Sequence, residues 1–127
     1  MPVVYFVIPC YNEEKVLPET EKRLTAKLKE MISCGLADEK SRILFVDDGS
    51  KDKTWELIDG YSGGNVLVSG IKLAHNRGHQ NALLAGLMTA KECADCAISL
   101  DADLQDDVGA LDKFVKKYNE RANIVLQ

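Results

Sequence analysis

The feature that most constrains the fold is a series of short, uninterrupted apolar runs, beginning with Val3-Val4-Tyr5-Phe6-Val7-Ile8, which Pro9 closes. A strand with one wet face alternates apolar and polar residues. A run without alternation is buried on both faces, as in a parallel sheet covered by helices. Ile43-Leu44-Phe45-Val46 repeats the pattern, residues 66–73 alternate well enough for a third strand, and 97–100 supply a fourth. Between the first two runs, Leu17, Leu24, Leu28, Met31 and Ile32 recur at helical spacing, with Lys22, Arg23, Lys27, Lys29 and Glu30 on the other face. An amphipathic helix is therefore expected over 16–33, ended by Gly35. A short helix is expected over 52–58, with Trp55 and Ile58 inward and 61–65 (Tyr-Ser-Gly-Gly-Asn) a loop by composition. Residues 81–92, rich in Ala, Leu and Gly, suit a helix packed closely on the sheet. Val108, Leu111, Phe114, Val115 and Tyr118 trace another, and 123–126 begin a fifth apolar segment. Strands alternating with helices predict an α/β fold with a mainly parallel sheet, in which ligands bind beyond the carboxyl ends of the strands.

The unusual polar clusters all fall at such ends: Pro9-Cys10-Tyr11-Asn12-Glu13-Glu14, Asp47-Asp48-Gly49-Ser50, His75-Asn76-Arg77-Gly78-His79, and Asp101-Ala102-Asp103-Leu104-Gln105. The last carries the strongest chemical signal. If the strand stays extended one step past its end, Asp101 and Asp103 point the same way, roughly 6 to 7 Å apart along the backbone. Converging carboxylates repel, and no Lys or Arg follows until Lys113, so a hard divalent cation is the economical remedy. Asp106 and Asp107 read as caps of the next helix. Asp47-Asp48-Gly49-Ser50 reads equally as a turn with a helix cap or as an acceptor for a ligand N–H, as an acid near a nucleobase or ribose would be. Glu13 and Glu14 could instead serve the dipole of the first helix. His75 and His79 have the spacing of a zinc pair, but the HExxH glutamate is absent and Gly78 interrupts a helix there, so they are not read as metal ligands. Arg77 beside Gly78 reads as anion recognition near a helix N-terminus. Neither a P-loop nor a Rossmann phosphate loop is present.

Composition narrows the classes further. With 127 residues, 46% hydrophobic and 28% charged, the chain is one soluble domain with a sizeable core. A net charge of −4, with lysines interleaved among acids, argues against nucleic-acid binding. The first apolar run is too short and wrongly flanked for a signal peptide or a membrane span, so a cytoplasmic location is expected. Cys10, Cys34, Cys93 and Cys96 are read as reduced thiols, and the CxxC spacing of the last two as chance.

Taken in order, Val7-Ile8-Pro9-Cys10-Tyr11-Asn12-Glu13-Glu14, Phe45-Val46-Asp47-Asp48-Gly49-Ser50-Lys51-Asp52, Asn76-Arg77-Gly78 and Leu100-Asp101-Ala102-Asp103-Leu104-Gln105 resemble family-2 inverting glycosyltransferases with the GT-A fold. The resemblance is to the branch that charges polyprenyl phosphates, the dolichol-phosphate mannose synthases and bactoprenol glucosyltransferases. It spans nearly the whole chain and implies a three-layer α/β sandwich. It also implies that Pro9, Tyr11, Asn12 and Glu13, with Asp48, Asp47, Arg77, Gly78, Asp101 and Ala102, hold a UDP- or GDP-linked sugar. Asp101-Ala102-Asp103 matches the DxD motif, with Asp103 the principal ligand of Mg²⁺ or Mn²⁺, Asp101 a helper and Gln105 a further metal or phosphate contact.

Enzymes of this kind run well past residue 127. The resemblance therefore implies that residues 1–127 are the donor-binding part. The catalytic base, the acceptor site for a polyprenyl phosphate and any membrane helices would follow Gln127, and the parent protein would be associated with the cytoplasmic face of a membrane. Two other classes compete. A phosphoacceptor receiver domain has this length, alternation and an acidic pair, although there the pair follows the first strand and a lone acid follows the third. A catalytically silent nucleotide-binding module is the other, self-associating through an open sheet edge.

Overall fold

The computed structural model describes residues 1–103 together with Leu111, Lys113, Val115 and Lys116. The apolar runs form four strands, β1 (Val4–Cys10), β2 (Arg42–Asp47), β3 (Val68–Lys72) and β4 (Cys96–Ser99), all parallel, in the order β3-β2-β1-β4. Pro9 does not end β1 as the sequence suggested, because it pairs with Val46 and the strand continues to Cys10. The reason is geometric. The carbonyl of Cys10 accepts from Asp48 N on the β2 side and that of Val7 accepts from Leu100 N on the β4 side. Residues alternate between neighbours, so Pro9 faces β4, whose strand ends at Ser99, and its missing N–H breaks no ladder bond.

Helices cover both faces. On one side α1 (Leu17–Ser33) and α2 (Thr54–Gly64) pack on Phe6, Ile8, Ile43 and Phe45 through Leu17, Leu24, Leu28, Met31 and Ile58, all wholly buried. On the other, α3 (His79–Lys91) packs on Val7, Leu44 and Val46 through Ala82 and Ala90. The result is the expected three-layer sandwich. Helix α1 closes at Gly35 (φ 83°), where Leu36 N donates to Met31 O and Gly35 N to Ile32 O, the paired bonds of a Schellman motif.

The expected loop over 61–65 is instead the last turn of α2. None of Gly60, Gly63 and Gly64 has a positive φ, and Tyr61 packs half-buried against the core, so burial overrides the loop-like composition. Asn65 ends the helix, its side-chain amide donating to Glu21 and Thr25 on α1. Leu111 and Val115 are helical and buried, in keeping with the amphipathic stretch expected there. Gln105, Asp106, Asp107 and the apolar segment 123–126 lie outside the described residues. All four cysteines are free, and among the described residues no helix is long and apolar enough to cross a membrane.

The small residues of α3 let it lie close to the sheet. A Cβ on Gly86 would stand 2.5 Å from Val7 Cγ1 and 2.9 Å from Val46 Cγ2. Gly86→Ala is therefore expected to destabilise the fold by about 1–3 kcal/mol, the usual range for overpacking, although alanine favours helices. A urea titration reads the change; an unchanged or raised midpoint would show that α3 yields freely.

Candidate functional site

The chain proceeds from β1 to β2 to β3 on one side and then crosses to β4 on the other, so the order in which the parallel strands are laid down reverses between β1 and β4. Such a reversal leaves a crevice beyond the strand ends. A cavity of about 300 Å³ opens there, bordered by Pro9, Cys10, Tyr11 and Glu13 after β1, Asp48 after β2, Asn76 and Gly78 after β3, His79 and Ala82 on α3, and Asp101, Ala102 and Asp103 after β4. All four polar clusters thus meet at one cavity.

Side-chain to backbone bonds tie the rim together. Asn12, at φ 53°, accepts from Lys51 N through Oδ1, and its own N–H donates to Ser50 Oγ at 2.9 Å. Glu13 N donates to Thr54 Oγ1 at 2.8 Å and Glu14 N to Asp52 Oδ2 at 3.3 Å. These bonds fix the β1–α1 connection to the β2–α2 connection. On the opposite wall the chain turns at Ala102 and Asp103 instead of staying extended. The turn is anchored by Thr20, a buried residue on the apolar face of α1 whose hydroxyl donates to the Ala102 carbonyl. Ala102 is thereby held inward, while Asp101 and Asp103 are exposed on either side of it and both border the cavity.

The site is electrically unbalanced. Neither Asp101 nor Asp103 meets a lysine or arginine among the described residues, and both act on Glu13 across the cavity. Burial, followed by the charges of Asp103, Asp52 and Asp101, pushes the Glu13 carboxyl above the ordinary glutamate range. A carboxylate raised in the folded state contributes no penalty at low pH. Its destabilisation appears as pH rises from the ordinary glutamate range through the folded value. Glu13→Gln should therefore gain stability over the native chain as pH rises through that interval and show no gain below it, as read by thermal unfolding across pH. A constant difference at every pH would contradict the charge origin.

The acidic donor set fits a hard divalent ion: the Asp101 and Asp103 carboxylates, without cationic partners among the described residues, beside a third acid, Glu13. Among the described residues no three His, Cys, Asp or Glu side chains form a closed cage. That arrangement suits an ion held by one or two carboxylates and completed by substrate phosphates.

Among the residues singled out from sequence, Pro9, Tyr11, Glu13, Asp48, Gly78, Asp101, Ala102 and Asp103 border the cavity. Asn12 serves the rim, Arg77 is exposed and contributes its backbone, and Gln105 lies outside the described residues. Asp47 is wholly buried: its Oδ1 accepts from Ser50 N, and its Oδ2 has no partner among the described residues. Asn76, His79 and Ala82 border the cavity without having been assigned to it. Cys10 does too, but it is 2% exposed, and burial followed by the charges of Glu13 and Asp47 pushes its thiol up, which makes it an inert wall. Thr20 was also missed; a hydroxyl on an otherwise apolar helical face was its only sequence signal.

Comparison with known proteins gives a consistent picture. YkoT of Bacillus subtilis, an uncharacterized glycosyltransferase, is 54% identical over 124 residues, or 98% of this chain and 37% of that protein. An undecaprenyl-phosphate 4-deoxy-4-formamido-L-arabinose transferase of Aeromonas hydrophila is 36% identical over 97% of this chain and 36% of its own length. The chain thus spans little more than a third of these relatives. Among solved structures, the mannosyltransferase PcManGT from Pyrobaculum calidifontis, in complex with GDP-Man and Mn²⁺, matches the fold with a TM-score of 0.72 at 23% identity, over 92% of this chain and 32% of that one. Residues 5–127 match the family described as Glycosyl transferase family 2, and the chain belongs to that family.

Proposed function

We propose that residues 1–127 form the donor-nucleotide part of a glycosyltransferase that takes a sugar from a UDP- or GDP-linked donor, with Mg²⁺ or Mn²⁺ on the diphosphate. The observation that carries this reading is the convergence of four strand ends on one cavity where, among the described residues, Asp101 and Asp103 stand without cationic partners and act on Glu13. In this reading Asp103 is the principal ligand of the ion, Asp101 assists and Gln105 adds a contact. The ion, when bound, supplies Lewis-acid stabilisation of the charge that builds on a departing nucleoside diphosphate.

The chain's own residues do the rest. Pro9, Tyr11 and Glu13 form the wall against the base and ribose, and Asn12 holds that wall to Lys51 and Ser50. Asp47 keeps a buried acceptor oxygen behind Asp48, Arg77 and Gly78 close the α3 side, and Thr20 holds Ala102 so that the two flanking acids stay at the cavity. This reading assigns the catalytic base and the acceptor site to residues other than these, which the chain's span of little more than a third of these relatives supports. The name of the Aeromonas relative favours a polyprenyl phosphate acceptor, and with it a parent protein working at the cytoplasmic face of a membrane. Pairing through the edges of β3 or β4, which carry no further strand among the described residues, would make a homo-oligomer, which light scattering would detect. A receiver domain loses its footing with family membership.

Calorimetric titration with UDP and with GDP, each with and without Mn²⁺, tests the donor reading. One of the two should bind in an ion-dependent manner. Metal-independent binding, or no binding by a folded sample, would count against it.

A further inference from the structure

The β3–α3 connection, residues 73–78, reaches over the cavity, yet its ties run to the end of β2. Arg77 N donates to Asp48 Oδ1 at 2.6 Å and Gly78 N to Asp48 Oδ2 at 3.1 Å, so both carboxylate oxygens accept from backbone 29 and 30 residues away; Gly78 N also reaches Asn76 Oδ1, within its own loop, at 3.2 Å. Asp48 is 3% exposed, and its own N–H donates to Cys10 O at 2.8 Å, which fixes it to β1. A turn or helix-cap aspartate serves its own segment; this one serves another.

An independent contact has the same effect. Gly49 adopts φ 72°, and a Cβ built there would lie 2.6 Å from Asn76 N and 2.8 Å from His75 C. The backbones of the two connections therefore touch, with no room for a side chain between them. At the other end of the loop, Leu73 N donates to Asp47 O at 2.9 Å. Residues 47–49 form a seat, and 73–78 rest in it.

We propose that Asp48 is a positioning residue for the cavity, acting through Arg77 and Gly78 to hold Asn76, Gly78 and the start of α3 in place before any ligand arrives. The functional consequence rests on the donor-nucleotide reading above; the clamp itself does not. Charge-assisted bonds to two backbone N–H groups are stronger than neutral ones, and holding a loop in its binding conformation removes an ordering cost at the moment of binding. The role is separate from any direct contact with base or ribose: it acts on the loop, through two backbone N–H groups.

Amide exchange by NMR on the ligand-free chain tests the clamp. In the native chain the Arg77 and Gly78 amides should exchange slowly, with the Arg77 proton far downfield. In Asp48→Ala they should exchange about tenfold faster or more, the worth of a charged hydrogen bond, and lose the downfield shift while the β1 amides stay protected. Asp48→Asn, with one acceptor oxygen instead of two, should be intermediate and serves if the alanine variant does not fold. Affinity for UDP and GDP then separates positioning from contact. Gly49 does not border the cavity, yet Gly49→Ala displaces the same loop. Each single variant should weaken binding about tenfold, and the double variant should be within about twofold of the weaker single, because both break one device. Unchanged exchange at Arg77 and Gly78 in Asp48→Ala would overturn the proposal, as would single effects that multiply in the double variant. Protected amides in a native chain that binds neither nucleotide would uphold the clamp and remove the donor reading instead.

Discussion

Asp103→Ala is expected to erase the metal-dependent part of nucleotide binding, lowering affinity in the presence of Mn²⁺ about a hundredfold while leaving the unfolding midpoint unchanged or slightly raised. The size follows from losing a charged ligand to a Lewis acid worth several kcal/mol, at tenfold per 1.4 kcal/mol. The sign of the stability effect follows from the site: Asp103 is exposed, has no cationic partner among the described residues, and is the leading charge acting on Glu13. Removing it relieves repulsion in the ligand-free chain. Asp101→Ala should weaken ion-dependent binding less. Calorimetry with and without Mn²⁺, paired with thermal unfolding, separates the two effects, and equal ion-dependent binding by Asp103→Ala would remove it as the principal ligand.

Phe45→Ala should be among the most damaging substitutions in the core, costing about 3–5 kcal/mol, the usual range for emptying a buried aromatic site. Phe45 is wholly buried in β2, between β1 and β3, and packs in the same cluster as Phe6, Ile8, Leu24 and Ile58. Such a loss is a large share of the stability of a domain this size. It would also reach the site, since β2 delivers Asp47 and Asp48 two and three residues later. The expected outcome is a fall in urea midpoint large enough to populate unfolded chain at room temperature; a shift equivalent to under about 1 kcal/mol would mean that the core collapses around the gap.

Much of this architecture was legible because it rests on burial, which sequence records directly. Val3 to Ile8 and Ile43 to Val46 lack alternation, and that alone required cover on both faces of a parallel sheet. The position of the site followed from the same logic, since polar clusters after such strands have only one rim to occupy. What each rim residue does was not legible. Asp48 is chemically able to meet a ligand N–H, and only the fold reveals that it also holds the Arg77 and Gly78 N–H groups. Thr20 lies 82 residues from the carbonyl it holds, a separation no local pattern encodes. The end of α2 was misread because Gly63 and Gly64 suggest a loop, whereas the burial of Tyr61 depends on where the core lies. Gln105 was assigned through resemblance alone and lies outside the described residues.

The most direct measurement is a crystal structure of the chain grown with Mn²⁺ and either GDP or UDP, with the ion located by its anomalous signal. The expected result is Mn²⁺ coordinated by the Asp103 carboxylate and the diphosphate oxygens, with the base and ribose against Tyr11 and Glu13. A nucleotide bound elsewhere, or bound in this cavity with the ion away from Asp103, would contradict the donor-site reading.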